Sequence, residues 1–535
     1  MTPIVAVIHQ IPIISDLLHP FIGYPVQIGL PVGTPVPRDV KVISFDGTPI
    51  YVHFMPARGL QAGQRAPTIL NGPGMPLPGA TNLDGALLDD VVTDAVGQVS
   101  IATLRRAGYN VVTWDPRGEY NSGGVLELNS PDFEARDVSA IISWVATQPE
   151  AQLDSKVGLD PRMGMAGVSY GGGIQLVTAA IDQRVDAIVP TIARNTLNSS
   201  LYKNEAFKSS WGTILTAALL LTGARANPRI LPGAIYGDLT GMLTQADQDL
   251  LAERGVGAPR FLVDNITAPT LLIQGTVDTI LTLQEADDTA QELIANGVPT
   301  KVLWFCGGHG LCLNNLFDLR DGALIERRTL EWLDRYVKRE GVDTGPQFEW
   351  VDQRGQYFSS NVYPVAPGNP IVASSSAGGV LPLVPFIGGS GLPVIPLAAK
   401  ATNALNLPVP AATTTTHLVG TPELTLTYSG IGVGRHVYAQ LVDDTTGLVL
   451  GSIVTPIPVT LDGQTHTITV PLEQVAYTLR PGETVTLQLV ASAGIYATIV
   501  PSLGALNVSS MQLTLPTTQA APIPSPPLVQ PASAA

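Results

Sequence analysis

Apolar and polar positions change their period twice along this chain, and each change marks a new architecture. Residues 1–37 (opening MTPIVAVIHQIPIISDLLHPF) are apolar and proline-rich, with no sustained helical or strand period. They are expected to form an extended arm packed on a domain surface. From Asp39 the pattern sharpens. Val40–Phe45 and Ile50–Phe54 flank Asp46-Gly47, a hairpin signal. Short apolar runs then alternate with helical stretches. Ala66–Leu70, Asn110–Trp114, Met163–Val168, Val185–Val189, Thr270–Ile273 and Lys301–Phe305 read as buried strands, and Ser139–Thr147 reads as a helix. Strands separated by helices over residues 38–345 predict a mostly parallel α/β sheet. The helix predicted over Leu324–Arg339 closes it, with Leu330, Trp332, Leu333 and Val337 on its apolar side.

After Gly345 the period becomes two. Glu423–Tyr428, His466–Val470 and Glu483–Leu489 alternate cleanly, with no helical stretch between them, so residues 346–517 are expected to form a β-sandwich. Residues 364–412, rich in Gly, Pro, Ala and Ser, are expected to be long loops. The Pro/Ala-rich tail 518–535 cannot build a core and is expected to be disordered.

Composition narrows the partners. The 535 residues carry 29 basic and 44 acidic side chains, a net charge of −15. With no basic run, nucleic acid and anionic membranes are poor partners. No run of 18 apolar residues is present, so no helical membrane span is expected. Only 14% of residues are charged. That low charge density fits a setting outside the cytoplasm, although the N-terminus lacks the basic start and cleavage site of a signal peptide. The oligomeric state is not encoded in any feature of the chain.

The chemistry centres on Gly167-Val168-Ser169-Tyr170-Gly171-Gly172, between a predicted strand and a helical stretch. A tight strand-to-helix turn needs small residues around the serine, because the backbone passes close to itself. It lifts the hydroxyl above the sheet and sets the next N–H at a helix N-terminus. Such a serine needs a base. Of seven histidines, His9, His19 and His53 precede it and His417, His436 and His466 lie in the β-rich part. That leaves His309, after the strand ending at Phe305. Asp278, just past the preceding strand, supplies the acid in the chain order Ser, Asp, His. Asp287 and Asp288 are the alternatives, but they fall inside a predicted helix.

Tyr170 N–H is the first oxyanion donor by position. The second is expected from Asn71-Gly72-Pro73-Gly74-Met75, where Pro73 lacks an N–H, so Gly74 or Met75 N–H, or the Asn71 amide, must serve. Cys306 and Cys312, the two cysteines, bracket His309. They either form a small disulfide that stiffens the histidine loop or remain buried thiols. A metal at Cys306, His309 and Cys312 is disfavoured, because no fourth ligand is evident and it would remove the base. The apolar stretch Ile214–Leu221 reads first as core packing, and otherwise as pocket lining.

These residues resemble the X-Pro dipeptidyl-peptidase family of serine hydrolases, which also holds cocaine esterase and glutaryl-cephalosporin acylases. The likeness runs over most of residues 38–517. It includes the Asp46-Gly47 hairpin, Trp114–Gly124 (similar to the family's D-x-R-G-x-G-x-S-x-G loop), the Ser169 turn, Ala187–Pro190, Trp332–Lys338 and His417–Leu424. The resemblance implies an α/β-hydrolase fold, a helical cap at about residues 195–265 and a C-terminal jelly-roll β-sandwich. It also implies that Ser169, Asp278 and His309 cleave amides or esters. In the family a tyrosine in the loop after the early strand supplies an oxyanion donor, and residues 71–80 contain none.

The expectation is thus a serine hydrolase with no metal or other cofactor, acting on a small-molecule ester or amide, or on a short peptide, through an acyl-enzyme. The alternatives are a true X-Pro dipeptidyl peptidase and a non-catalytic envelope-binding protein using its β-sandwich.

Overall fold

The computed structural model describes residues 2–25, 29–155, 157–316, 318–385, 387–498 and 502–527. Its centre is an eleven-stranded sheet. Seven strands run parallel in the order Asn110–Trp114, Thr68–Gly72, Met163–Val168, Ala187–Thr191, Thr270–Gly275, Thr300–Phe305 and Phe348–Val351. The hairpin Arg38–Ile43/Pro49–Met55 adds antiparallel at one edge. The central strands are buried throughout and accordingly read as continuous apolar runs. Helices Glu134–Val145, Tyr170–Ile181, Leu283–Ala295 and Arg320–Tyr336 cover the faces of the sheet. Between the fourth and fifth parallel strands the chain leaves the sheet for the helices Leu197–Leu201, Ser209–Thr222, Ile230–Thr240 and Gln245–Ala252, the expected cap. This is the α/β-hydrolase fold with a cap.

The β-rich remainder packs two main sheets around one core. Leu381, Leu426 and Leu513 come from one sheet, and Leu407, Leu441 and Leu487 from the other. Side-chain to backbone hydrogen bonds join it to the cap, among them Asn204 Nδ2 to the Pro456 carbonyl (2.8 Å) and Ser210 Oγ to the Ile495 carbonyl (3.2 Å).

Four expectations need correction. Residues 1–37 are not simply extended, since Thr2–Ile8 and Ile14–Ile22 are helical. The second helix is inverted, with Ser15, Asp16 and His19 buried while Ile14, Leu17, Leu18 and Phe21 are exposed. A polar inward face gives no apolar period to read. The boundary at 345 falls too early. Phe348–Val351 and Tyr357–Ser360 extend the main sheet, because alternation identifies a strand but not the sheet that accepts it. Residues 364–412 contain the strands Ile371–Ser375, Gly379–Leu383 and Ala404–Pro408 rather than loops alone. Finally, the tail is ordered at its start. Thr517–Thr518 pairs with Thr416–Gly420, and Ala521–Pro522 adds to the main sheet's far edge. Edge pairing uses backbone rather than core, and proline is tolerated there. Residues 528–535 of the expected disordered tail lie outside the described residues.

Candidate active site

The turn between Met163–Val168 and Tyr170–Ile181 holds Ser169 at φ 56°, ψ −114°, outside the regions a serine normally occupies. Its surroundings leave no room for side chains. A Cβ on Gly171 would stand 2.1 Å from the Gly72 carbonyl oxygen, and one on Gly167 2.7 Å from the same atom. Close approach of two strand ends, rather than turn flexibility alone, therefore dictates glycine on both sides of the serine. The Ser169 carbonyl accepts from the N–H groups of Gly172 and Gly173, both at 2.9 Å. Tyr170 N–H, on the first helical residue, has no partner within the helix.

Three side chains expected from chain order meet at this turn. Ser169 Oγ lies 2.9 Å from His309 Nε2, and His309 Nδ1 lies 2.6 Å from Asp278 Oδ2. Asp278 is held from behind, its Oδ1 accepting from the N–H groups of Ile280 (3.1 Å) and Leu281 (2.8 Å). The histidine backbone N–H adds a bond to Oδ2 at 3.2 Å. The acid is thereby fixed in place, and with it the face the imidazole turns to the serine. Asp287 instead accepts from the Tyr363 hydroxyl and the Gln474 amide, both at 2.7 Å.

Cys306 and Cys312 are disulfide-bonded, with Cα atoms 5.5 Å apart. The bridge closes the loop that carries His309. Asp321 accepts from Cys306 N–H and the Tyr357 hydroxyl, tying the same loop to the sheet and the last helix. Burial pushes the Asp321 carboxyl up to about 7.

Above the serine, a cavity of about 240 Å³ opens between sheet and cap. Ser169, Tyr170, His309 and Met75 share it with Ile214, Leu215, Ala218 and Leu219 of the cap. The stretch expected as core thus faces this cavity along much of its length, while Leu220 and Leu221 are exposed. Of the candidate second donors, Met75 borders the cavity. Gly74 and Asn71 line a neighbouring one of about 140 Å³.

Three residues had no sequence signal. Trp211 sets its indole edge on the His309 ring and donates to Thr279 Oγ at 3.2 Å. Lys208, fully buried, donates to the Ile280 carbonyl at 2.9 Å and ties the cap to the acid loop. Arg194 lies behind Tyr170, bonded to the Leu128 and Arg254 carbonyls. Burial lowers its guanidinium to about 10. A lone Trp, Lys or Arg has no motif, and only the fold brings each to this site.

Residues 53–310 match the model of the X-Pro dipeptidyl-peptidase (S15 family). The chain covers only 22% of the length of a curated relative, an uncharacterized protein of Pseudomonas aeruginosa, at 31% identity over 88 residues, 16% of this chain. Solved structures match over nearly the whole chain. A CocE/NonD family hydrolase from Staphylococcus aureus superposes with TM-score 0.65 at 14% identity, covering 90% of this chain and 93% of its own. An aminopeptidase from a marine sediment archaeon (Thaumarchaeota archaeon) gives TM-score 0.63 at 15% identity, covering 92% and 99%. At such identities the likeness speaks for fold. The family match agrees with the resemblance carried by the Ser169 turn and the Trp114–Gly124 loop, and over residues 53–310 this chain is similar to the X-Pro dipeptidyl-peptidase (S15) family.

Proposed function

We propose that this protein is a serine hydrolase that cleaves esters with apolar acyl or alcohol groups through an acyl-enzyme. The observation that carries the proposal is the continuous Ser169–His309–Asp278 chain of hydrogen bonds at 2.9 and 2.6 Å, at the floor of an apolar cavity. In this reading His309 takes the proton of Ser169 as Oγ attacks the substrate carbonyl. Asp278 holds the imidazole tautomer and stabilises the imidazolium. Tyr170 N–H, at the helix N-terminus, and Met75 N–H receive the oxyanion. His309 then returns its proton to the leaving group, and water repeats the sequence to free the acid.

Preference for esters rests on the lining. Asp247, a carboxylate that borders the cavity, already accepts from Thr244 Oγ (2.5 Å) and stands 3.6 Å from Arg229. It is poorly placed to hold a peptide's free amino terminus. The second reading, an X-Pro dipeptidyl peptidase, is favoured by the family match. Fluorophosphonate should label Ser169, and parallel assay of acyl esters and X-Pro anilides should show turnover of the esters. Full activity in Ser169→Ala would overturn the serine mechanism, and faster turnover of the anilides would select the peptidase. The disulfide and the low charge density support a location outside the cytoplasm. Among the described residues, no helix is long and apolar enough to cross a membrane.

A further inference from the structure

Two of the three histidines that precede the nucleophile converge on one carboxylate, far from the serine in sequence. The inverted helix Ile14–Ile22 turns His19 inward, and its Nε2 lies 3.0 Å from Asp39 Oδ2. From the first hairpin, His53 places Nδ1 2.8 Å from Asp39 Oδ1. Both imidazoles are almost completely buried. One ligand atom from each of the three residues lies within 4.8 Å of the others. Two phenols face the same carboxylate. The Tyr51 hydroxyl is 3.1 Å from Asp39 Oδ2, and the buried Tyr24 hydroxyl faces the same carboxylate.

Charge makes the cluster unusual. Asp16, Asp39 and Asp115 gather around the two imidazoles, with Asp115 Oδ1 3.9 Å from His53 Nε2. Among the described residues, no lysine or arginine forms an ion pair with any of the three. Carboxylates withdrawn from water are stabilised by a positive charge beside them, which an imidazolium or a bound cation can supply. Two imidazole nitrogens and a carboxylate are a ligand set of the zinc class. Ligands of one tetrahedral zinc ion stand about 3.3 Å apart, against 2.8 and 3.0 Å for the two N···O pairs here and at most 4.8 Å across the set. A carboxylate facing the far nitrogen of His53 is the outer partner that metal-bound imidazoles ordinarily have.

We propose that His19, Asp39 and His53, completed by a tyrosine hydroxyl, bind one divalent ion of the zinc class that pins the N-terminal helix to the first hairpin. None of the three borders the cavity at Ser169, so the role is structural. The pinned region supports the loop that carries Met75. A Cβ at Gly79 would sit 2.8 Å from the His53 ring, and Asp16 accepts from Thr81 N–H at 2.7 Å and Thr81 Oγ at 2.8 Å.

The test uses the full chain, stripped with a chelator and then titrated with ZnCl2 by calorimetry and native mass spectrometry. One equivalent should bind and raise Tm. His19→Gln and Asp39→Asn should each weaken binding about tenfold or more, the scale on which even outer partners act. His466→Gln, at an exposed His–Asp pair, should leave it unchanged. Cobalt(II) in the wild-type protein should give the absorption of a nitrogen-ligated tetrahedral ion, a readout that stands even if a variant fails to fold. No stoichiometric zinc uptake by the folded wild-type protein, or uptake unchanged in both variants, would overturn the proposal.

Discussion

The indole of Trp211 meets the imidazole of His309 edge-on, with ring centres 5.8 Å apart and planes at 84°. The two come from different layers, the tryptophan from the cap and the histidine from a loop at the end of a sheet strand. The cap therefore does more than roof the cavity, because one of its side chains meets the His309 ring. Trp211 Nε1 is anchored on Thr279, the residue after the acid, so one cap side chain touches the loops of both His309 and Asp278. Trp211→Ala should lower kcat roughly three- to tenfold, the scale of one lost aromatic pair. Trp211→Phe should recover most of that loss. Steady-state kinetics on a short acyl ester, with circular dichroism to check folding, decides it.

Asp278→Asn would leave the shape of the site intact but let the wrong imidazole tautomer form. A fall in kcat of about 10⁴ is expected when the orienting acid of such a triad is neutralised. Fluorophosphonate labelling of Ser169 should slow in parallel. An Asp287→Asn control should retain kcat, since Asp287 bonds Tyr363 and Gln474 instead.

The Cys306–Cys312 bridge spans six residues and closes the loop of His309. A loop so short contributes about 2 kcal/mol by the chain-entropy estimate. Reduction, or Cys306→Ser with Cys312→Ser, should lower Tm and activity together. Unchanged activity with a lowered Tm would mean that Asp321 and the sheet hold the loop without the bridge.

How far the sequence could be read depends on where the information sits. The Ser169 turn was legible because steric crowding confines its neighbours to glycine. His309 and Asp278 were legible because histidine is scarce and chain order is fixed by the fold. Trp211, Lys208 and Arg194 were not, since their contacts depend on how the cap helices pack, and no local pattern records that. The helix Ile14–Ile22 was hidden for a different reason. Its buried face is Ser15, Asp16 and His19, so a search for apolar periodicity looks at the wrong side. The edge strand Ala521–Pro522 left no trace because it contributes backbone alone.

Glu119 predicts a pH dependence. Its carboxyl is buried, neither oxygen has a hydrogen-bond partner, and burial with the nearby Asp115 and Glu134 pushes it up to about 8. In the unfolded chain it titrates near its ordinary value of about 4.3. The folded state therefore holds the proton more tightly between those two values. Its contribution to stability is fully present below the lower value and is lost as pH rises through about 8. Tm should fall between about pH 5 and about pH 8 and level off above that. Glu119→Gln, which keeps the shape without the charge, should flatten that decline while changing little at the acid end. Each kcal/mol relieved should be worth about 2–4 °C in a domain of this size. Thermal denaturation of both proteins across the range checks the sign.

The cavity predicts a chain-length preference. Ala218 faces it from the helix Ser209–Thr222, between Leu215 and Leu219, so a larger side chain there occupies volume that an acyl or alkyl group would use. Each methylene buried in such a site is worth about 0.8 kcal/mol, roughly a fourfold change in kcat/KM. In the wild-type protein kcat/KM should therefore rise with chain length across a series of p-nitrophenyl esters until the cavity is filled. Ala218→Phe should shift that maximum to shorter chains and leave the acetyl ester nearly unaffected. A flat chain-length profile in the wild-type protein would mean that the apolar cap surface does not receive the substrate.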